Sequence, residues 1–126
     1  MSKKLFNLLQ STLIESGYDV VLMKANKWPK RDVYHRRRGI KGYIVPDEMK
    51  IYINQSIGIN DRVITLIHEL YHEINPDWNE DKVESEAKKT FKKLSVDQLG
   101  FLQFFVVTPQ ETKKMLKQHQ LSSPIC

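Results

Sequence analysis

Two histidines and a glutamate lie together in one short segment, His68-Glu69-Leu70-Tyr71-His72. On a helix, residues four positions apart point to the same side, about one turn from each other. This separation allows two imidazoles to bind one tetrahedral Zn²⁺, while the glutamate between them lies beside the open coordination position. The segment therefore predicts a metal site with His68 and His72 as ligands and Glu69 as the general base.

The residues around this segment predict that it lies on a buried helix. Asn60 and Asp61 are suitable N-cap residues, and Asn75-Pro76 ends the pattern. Apolar residues between these limits cover most sides of the helix: Val63, Ile64, Leu66, Ile67, Leu70, Tyr71 and Ile74. Burial of two imidazoles and a carboxylate is costly unless something compensates, and a metal ion does so directly. The alternative is a core helix whose histidines are satisfied by ordinary hydrogen bonds.

A second helix is expected to supply the third ligand. The segment from Trp78 to Leu94 has apolar residues at helical spacing, and Asn79 or Asp77 can cap its start. Glu84 borders the apolar stripe, so its carboxylate can turn toward the metal. We therefore predict Glu84 as the third ligand, with Glu86 as the second choice. Glu80 lies one turn earlier and nearer to solvent, and we assign it to a solvated helix face.

Separate blocks of sequence occur in a fixed order between residues 40 and 95. They are Lys50-Ile51-Tyr52-Ile53-Asn54, then Arg62, then Thr65-Leu66-Ile67 before the His68 segment, then Glu84-Ser85-Glu86-Ala87 and Phe91. This order resembles the ImmA/IrrE family of zinc metallopeptidases. The resemblance implies a zincin-like domain in which Zn²⁺ is bound by His68, His72 and Glu84, with Glu69 as general base. It also implies a helix-turn-helix repressor as the substrate, since members of the family cleave such proteins.

The sequence departs from the family pattern at three positions near the expected site. Ile67 replaces an alanine before the first histidine, Tyr71 replaces a glycine before the second, and Lys88 replaces an asparagine after Glu-Ala. We expect Tyr71 to add bulk near the metal and to make the cleft narrower or differently shaped. Lys88 removes an amide that could have steadied the neighbouring residues.

Composition limits the class of protein. The chain has 126 residues and a net charge of +5, and its length predicts one domain over residues 1–126. Its single cysteine, Cys126, excludes a disulfide framework and a cysteine-rich zinc ribbon. Polar residues interrupt the apolar run after Lys3-Lys4, so we expect no signal peptide there, and no segment approaches transmembrane length. We expect a cytoplasmic protein without a membrane partner.

The remaining segments predict an α+β fold. An amphipathic helix at the N-terminus precedes three strands, at residues 18–23, 42–45 and 49–53, which we expect to form a mostly antiparallel sheet. The metal helix, the Glu-bearing helix and C-terminal helices follow, the last beginning at the capping box Thr108-Pro109-Gln110-Glu111. Gly42-Tyr43-Ile44 is a candidate edge strand to which an extended peptide could add, although a plain internal strand is an equal alternative.

The segment 24–41 is strongly basic. It holds the residues Lys24, Lys27, Lys30, Arg31, Arg36, Arg37, Arg38 and Lys41, with Trp28, Tyr34 and His35 among them. Basic residues interleaved with aromatic ones suit nucleic acid, and they also suit an acidic face of a protein partner. The alternative is a solvated surface loop.

Two functions of different class follow from these features. The first is a zinc-dependent metallo-endopeptidase that hydrolyses a protein or peptide substrate. In that mechanism a further donor stabilises the oxyanion, and Tyr43, Arg62, Tyr71 and His119 are unranked candidates. The second is a non-catalytic, zinc-stabilised regulatory module that binds nucleic acid or a partner protein.

Overall fold

The computed structural model describes residues 2–29 and 40–122, with side chains as far as residue 117. This part of the chain contains five α-helices and three β-strands. The helices are α1 (Lys3–Ile14), α2 (Ile59–Ile74), α3 (Glu80–Lys92), α4 (Val96–Phe104) and α5 (Pro109–Ser122). The strands are β1 (Asp19–Met23), β2 (Gly42–Val45) and β3 (Lys50–Asn54). The fold is therefore α+β, as the sequence predicts.

The three strands form one mixed sheet in the order β1-β3-β2. β2 pairs with β3 antiparallel, whereas β1 pairs with β3 parallel, with Asp19 opposite Lys50. The expectation of a mostly antiparallel sheet is therefore wrong. β1 and β2 lie on opposite sides of β3, and β1 runs in the same direction as β3. β2 is left at an edge.

α2 is the central helix of the fold. It begins after the N-cap Gly58 and ends before Asn75, whose N–H donates to the carbonyl of Tyr71. Asp61 lies in its first turn, where the positive end of the helix dipole stabilises a carboxylate. Leu66, Ile67 and Leu70 are fully buried, among others. α2 packs on β2 and β3 with one face and on α3 with another, which confirms a buried helix around the histidines.

The helices after α2 begin at side-chain caps. The Asn79 carboxamide oxygen accepts from the Lys82 N–H at the start of α3. At the start of α5, Thr108 and Glu111 each accept from the other's backbone N–H, which is the predicted capping box. Because α2 and α3 are joined by a short turn, they form an antiparallel hairpin. The first turn of α3 therefore lies beside the last turn of α2.

The sheet has apolar side chains on both faces. On one face the main core joins α1, α2, α3 and α4. On the other, Trp28, Tyr43 and Tyr52 form a separate cluster, in which the rings of Tyr43 and Tyr52 are stacked with centroids 4.8 Å apart. Trp28 meets Tyr43 edge to face and is 1% exposed. The chain that leaves β1 therefore begins by covering the face of the sheet opposite α2.

Two expectations concern the surroundings of the fold. Among the described helices, none combines the length and the apolar character needed to cross a membrane. Of the basic segment, Lys24, Lys27 and Lys41 are described, and residues 30–39 lie outside the described part of the chain.

Candidate metal centre

α2 brings the two histidines together. His68 and His72 are one turn apart on the same side of the helix, with their Nε2 atoms 3.1 Å from each other. Their side chains are 17% and 30% exposed, so both reach the surface from a helix that is otherwise largely buried. Burial lowers the pKa of His68, against the opposing effect of the Glu80 carboxylate. A neutral imidazole is the form that binds a metal ion.

The carboxylate of Glu80 contacts both imidazoles. Its Oε1 atom lies 2.6 Å from the Nε2 of His68, and its Oε2 atom lies 3.0 Å from the Nε2 of His72. Ligand atoms of the three residues all fall within 4.8 Å of one another, and they are the one such group found among the described histidines, cysteines and acids. Two imidazoles and a carboxylate form the ligand set of many catalytic zinc sites.

Glu84 and Glu86, the acids chosen from the sequence, are placed differently. Glu84 lies one turn beyond Glu80, lines the same cleft and pairs with the Nζ of Lys88 at 3.2 Å. Glu86 pairs with Lys89 at 3.6 Å and lies outside the cleft. The structure thus brings Glu80 onto the histidines, while Glu84 as the third ligand stays a prediction.

A feature of the sequence other than the apolar stripe predicts where Glu80 lies. Glu80 directly follows the N-cap Asn79, and a short turn separates it from the end of α2. In an antiparallel hairpin, such a residue lies level with the last turn of the preceding helix, which carries His72. Its 65% exposure shows that exposure to solvent did not exclude it from the site.

Glu69 lies between the histidines and is 7% exposed. Burial raises the pKa of its carboxyl to about 8, and the negative charge of Glu80 adds to the effect. An acid with a pKa near the working pH can both accept and donate a proton. Glu69 therefore has the environment of a general base and acid.

A cleft of about 610 Å³ opens over these residues. α2 forms its floor, α3 one wall and the edge strand β2 the other. Its lining comprises Ile40, Lys41, Gly42, Tyr43, Ile44, Asp61, Ile64, Thr65, His68, Glu69, His72, Glu80, Glu84 and Lys88. The candidate centre therefore lies in an open groove beside a strand, rather than in a closed pocket.

Gly42 allows β2 to pack close to α2, the helix that forms the floor of the cleft. A Cβ atom at this position would lie 2.5 Å from the carbonyl oxygen of Tyr52 and 2.6 Å from the Cγ2 of Thr65. Thr65 precedes His68 by about one turn of α2. Only glycine allows the strand to lie this close to the helix that carries the histidines.

The four oxyanion candidates are not equally placed. Tyr71 is 2% exposed, and its hydroxyl hydrogen-bonds with that of Thr90, so it packs against α3 and adds no bulk to the lining of the cleft, contrary to expectation. Arg62 is 5% exposed and bound to carbonyls and to Glu111. Tyr43 lines the cleft while its ring stacks on Tyr52. The side chain of His119 lies outside the described part of the chain.

Comparison of the chain with protein-family models, with curated proteins and with solved structures finds no match.

Proposed function

We propose that this protein is a zinc-dependent metallo-endopeptidase with a zincin-like domain. The observation that carries the proposal is the convergence of His68, His72 and Glu80 beside the buried carboxyl of Glu69, at the floor of an open cleft. His68, His72 and a carboxylate of α3 would hold the metal. Glu80 has the favoured geometry, and Glu84 is the ligand that the resemblance implies.

Zinc, when bound, lowers the pKa of a water molecule and polarises the scissile carbonyl. Glu69 supplies the proton transfer. Its pKa of about 8 falls when a cation is bound nearby, because an opposite charge favours the carboxylate. The carboxylate then accepts a proton from the attacking water and passes it to the leaving amine.

The edge strand β2 supports a peptide as the substrate. The N–H of Asn54 donates to the carbonyl of Lys41, which makes Lys41 and Asn54 a hydrogen-bonded antiparallel pair. Since such pairs alternate along the ladder, Lys41, Tyr43 and Val45 direct their backbone groups toward β3. The N–H and C=O groups of Gly42 and Ile44 then point outward at the cleft, where an extended peptide can pair with them.

The substrate class implied by the sequence resemblance, a DNA-binding repressor, belongs to this proposal as well. An open groove beside a strand edge that pairs with no other described strand suits a segment of a protein chain better than a small molecule, because a strand edge recognises backbone.

The proposal is tested by zinc content and peptide hydrolysis in one set of variants. We expect about one zinc per chain and cleavage of unstructured peptides. We expect Glu69→Gln to lose hydrolysis by at least about a hundredfold, the scale of general acid–base catalysis, while retaining zinc. Glu86→Gln, an acid outside the cleft, is the matched control and should behave as the wild type. Folded wild-type protein that takes up no zinc when zinc is supplied, or undiminished hydrolysis by Glu69→Gln, contradicts the proposal.

A further inference from the structure

Two lysines stand on opposite walls of the cleft. Lys88 lies on α3, with its Nζ 3.2 Å from Glu84, and Lys41 directly precedes β2, with its Nζ 3.8 Å from Asp61. Their side chains are 57% and 58% exposed. Within the described part of the chain, they are the lysines that line the cleft.

Both lysines lie at the same end of the cleft. Lys88 is eight residues beyond Glu80, which places it about 12 Å along the axis of α3 from the candidate metal centre. Because α3 is antiparallel to α2, this direction leads toward the start of α2. Lys41 pairs there with Asp61, which lies in the first turn of α2.

The acidic partners of these lysines leave them available. Glu84 and Lys88 are an exposed pair one helical turn apart, and pairs of this kind contribute little to stability. The Lys41–Asp61 contact is also exposed and is long at 3.8 Å. A carboxylate that enters the cleft can compete for either cation, and the acid it displaces, Asp61 or Glu84, is itself more than half exposed.

The strand geometry gives the direction in which a substrate would run. Lys41 lies beside Asp61, and Gly42 lies beside Thr65 about one turn further along α2, so β2 and α2 run in the same direction. A peptide that pairs antiparallel with β2, the more stable arrangement, runs from Ile44 toward Gly42 and Lys41. Its C-terminal part therefore approaches the two lysines.

We propose that Lys41 and Lys88 select substrates with an acidic side chain at the second or third residue after the scissile bond. Lys88 begins about 12 Å from the candidate metal centre, and its side chain covers part of that distance. Two or three residues of an extended peptide, at about 3.4 Å each, cover the rest. This inference rests on the proposed peptidase function and adds its substrate class.

The test is a cleavage profile on a proteome-derived peptide library, with products identified by mass spectrometry. We expect Asp and Glu to be enriched about fivefold at one of these two positions at low ionic strength, and less at high salt. Lys88→Met and Lys41→Met should each reduce the enrichment, and Lys88→Glu should replace it with a preference for Lys and Arg. Lys89→Met is the matched control, because Lys89 is also ion-paired on α3 but lies outside the cleft.

A second measurement separates this inference from the peptidase proposal. Fluorescein-labelled decapeptides that differ only in Glu or Gln are bound to zinc-loaded Glu69→Gln protein and followed by anisotropy. A preference for Glu that Lys88→Met removes supports the inference even if no peptide is cleaved, which would overturn the peptidase proposal alone. Cleavage without acidic enrichment, enrichment retained in Lys88→Met, or no binding of either peptide overturns the inference.

Discussion

The carboxylate of Glu80 contacts the imidazoles of His68 and His72 because Glu80 is the first residue of α3, the helix that follows α2. The turn between α2 and α3 places the backbone of Glu80 beside His72, so the Glu80 side chain spans only a short distance to the imidazole. Glu84 lies about 6 Å further along the same face. Both acids line the cleft, so the difference between them is one helical turn.

Single substitutions decide which acid is the ligand. Glu80→Gln is expected to weaken zinc binding on the order of a hundredfold, because it removes a charged ligand and leaves the two histidines alone. Glu84→Gln is expected to change the affinity by less than about threefold, since it breaks only an exposed ion pair. The affinities are measured by competition with a chromophoric chelator. The opposite order would establish Glu84, the acid chosen from the sequence, as the third ligand.

The sequence predicts the position of a single side chain where that position depends only on spacing within one helix. His68, Glu69 and His72 could be placed because a helix fixes their relation. Tyr71 could not, since its direction depends on where α3 packs, and the structure turns its hydroxyl to Thr90. The sequence places Glu80 on a solvated face, because the exposure of a residue on its own helix does not show which side chains of the neighbouring helix it contacts.

Among the elements, the start of α5 is joined to α2 by a buried arginine. Arg62 of α2 donates to the carbonyls of Gln55, Ile57 and Val106, and its Nη1 donates to Glu111 Oε1 at 2.7 Å. Glu111 also caps the start of α5. The same guanidinium therefore holds the loop before α2 and the start of α5 in place.

This attachment predicts a pH dependence of stability. The Arg62 hydrogen bond lowers the pKa of Glu111 from 4.5 to about 2, so the unfolded chain binds the proton more tightly than the folded one. The stabilisation is therefore complete above about pH 4.5 and is lost as the pH falls toward 2. We expect Glu111→Gln to lower the free energy of unfolding by about 2 kcal/mol at pH 7 and by much less near pH 2.

Urea unfolding at a series of pH values checks this expectation. Glu86→Gln, which alters an exposed acid on α3, should leave the free energy of unfolding within about 0.5 kcal/mol of the wild type. A deficit in Glu111→Gln that is as large at pH 2 as at pH 7 would show that the ion pair is not its source.

The caps show which element boundaries a sequence can predict. Residue type predicts the Thr108–Glu111 box and narrows the cap of α3 to Asn79 or Asp77, because a cap is a contact over three residues. The predicted cap of α2 at Asn60 or Asp61 is wrong, since that helix begins after Gly58. The parallel pairing of β1 with β3 was missed. It depends on the path of the chain between β1 and β2, and period-two alternation carries no information about that path.

For the molecule as a whole, the metal proposal has a thermodynamic consequence. A ligand that binds only the folded state stabilises it by about 2.7 kcal/mol at a concentration a hundredfold above its Kd. For a domain of this size we expect zinc to raise the Tm by about 10 °C and EDTA to reverse the rise. Differential scanning fluorimetry checks both.

His68→Ala should lose the zinc-induced rise in Tm while it remains folded without metal. Magnesium, which prefers oxygen ligands, should have no comparable effect on the wild type. An equal rise with magnesium, or a full rise in His68→Ala, would place the stabilising ion elsewhere.

The two tryptophans occupy separate parts of the structure. Trp28 is sealed in the cluster behind the sheet, whereas Trp78 lies in the turn of the α2–α3 hairpin, with its ring 5.6 Å from that of Tyr71. The fluorescence of Trp28 therefore reports on whether the sheet is folded. The fluorescence of Trp78 reports on the packing of α2 against α3, the two helices that carry the candidate ligands. A protein with Trp28→Phe would contain its own optical probe of the hairpin, without an added dye.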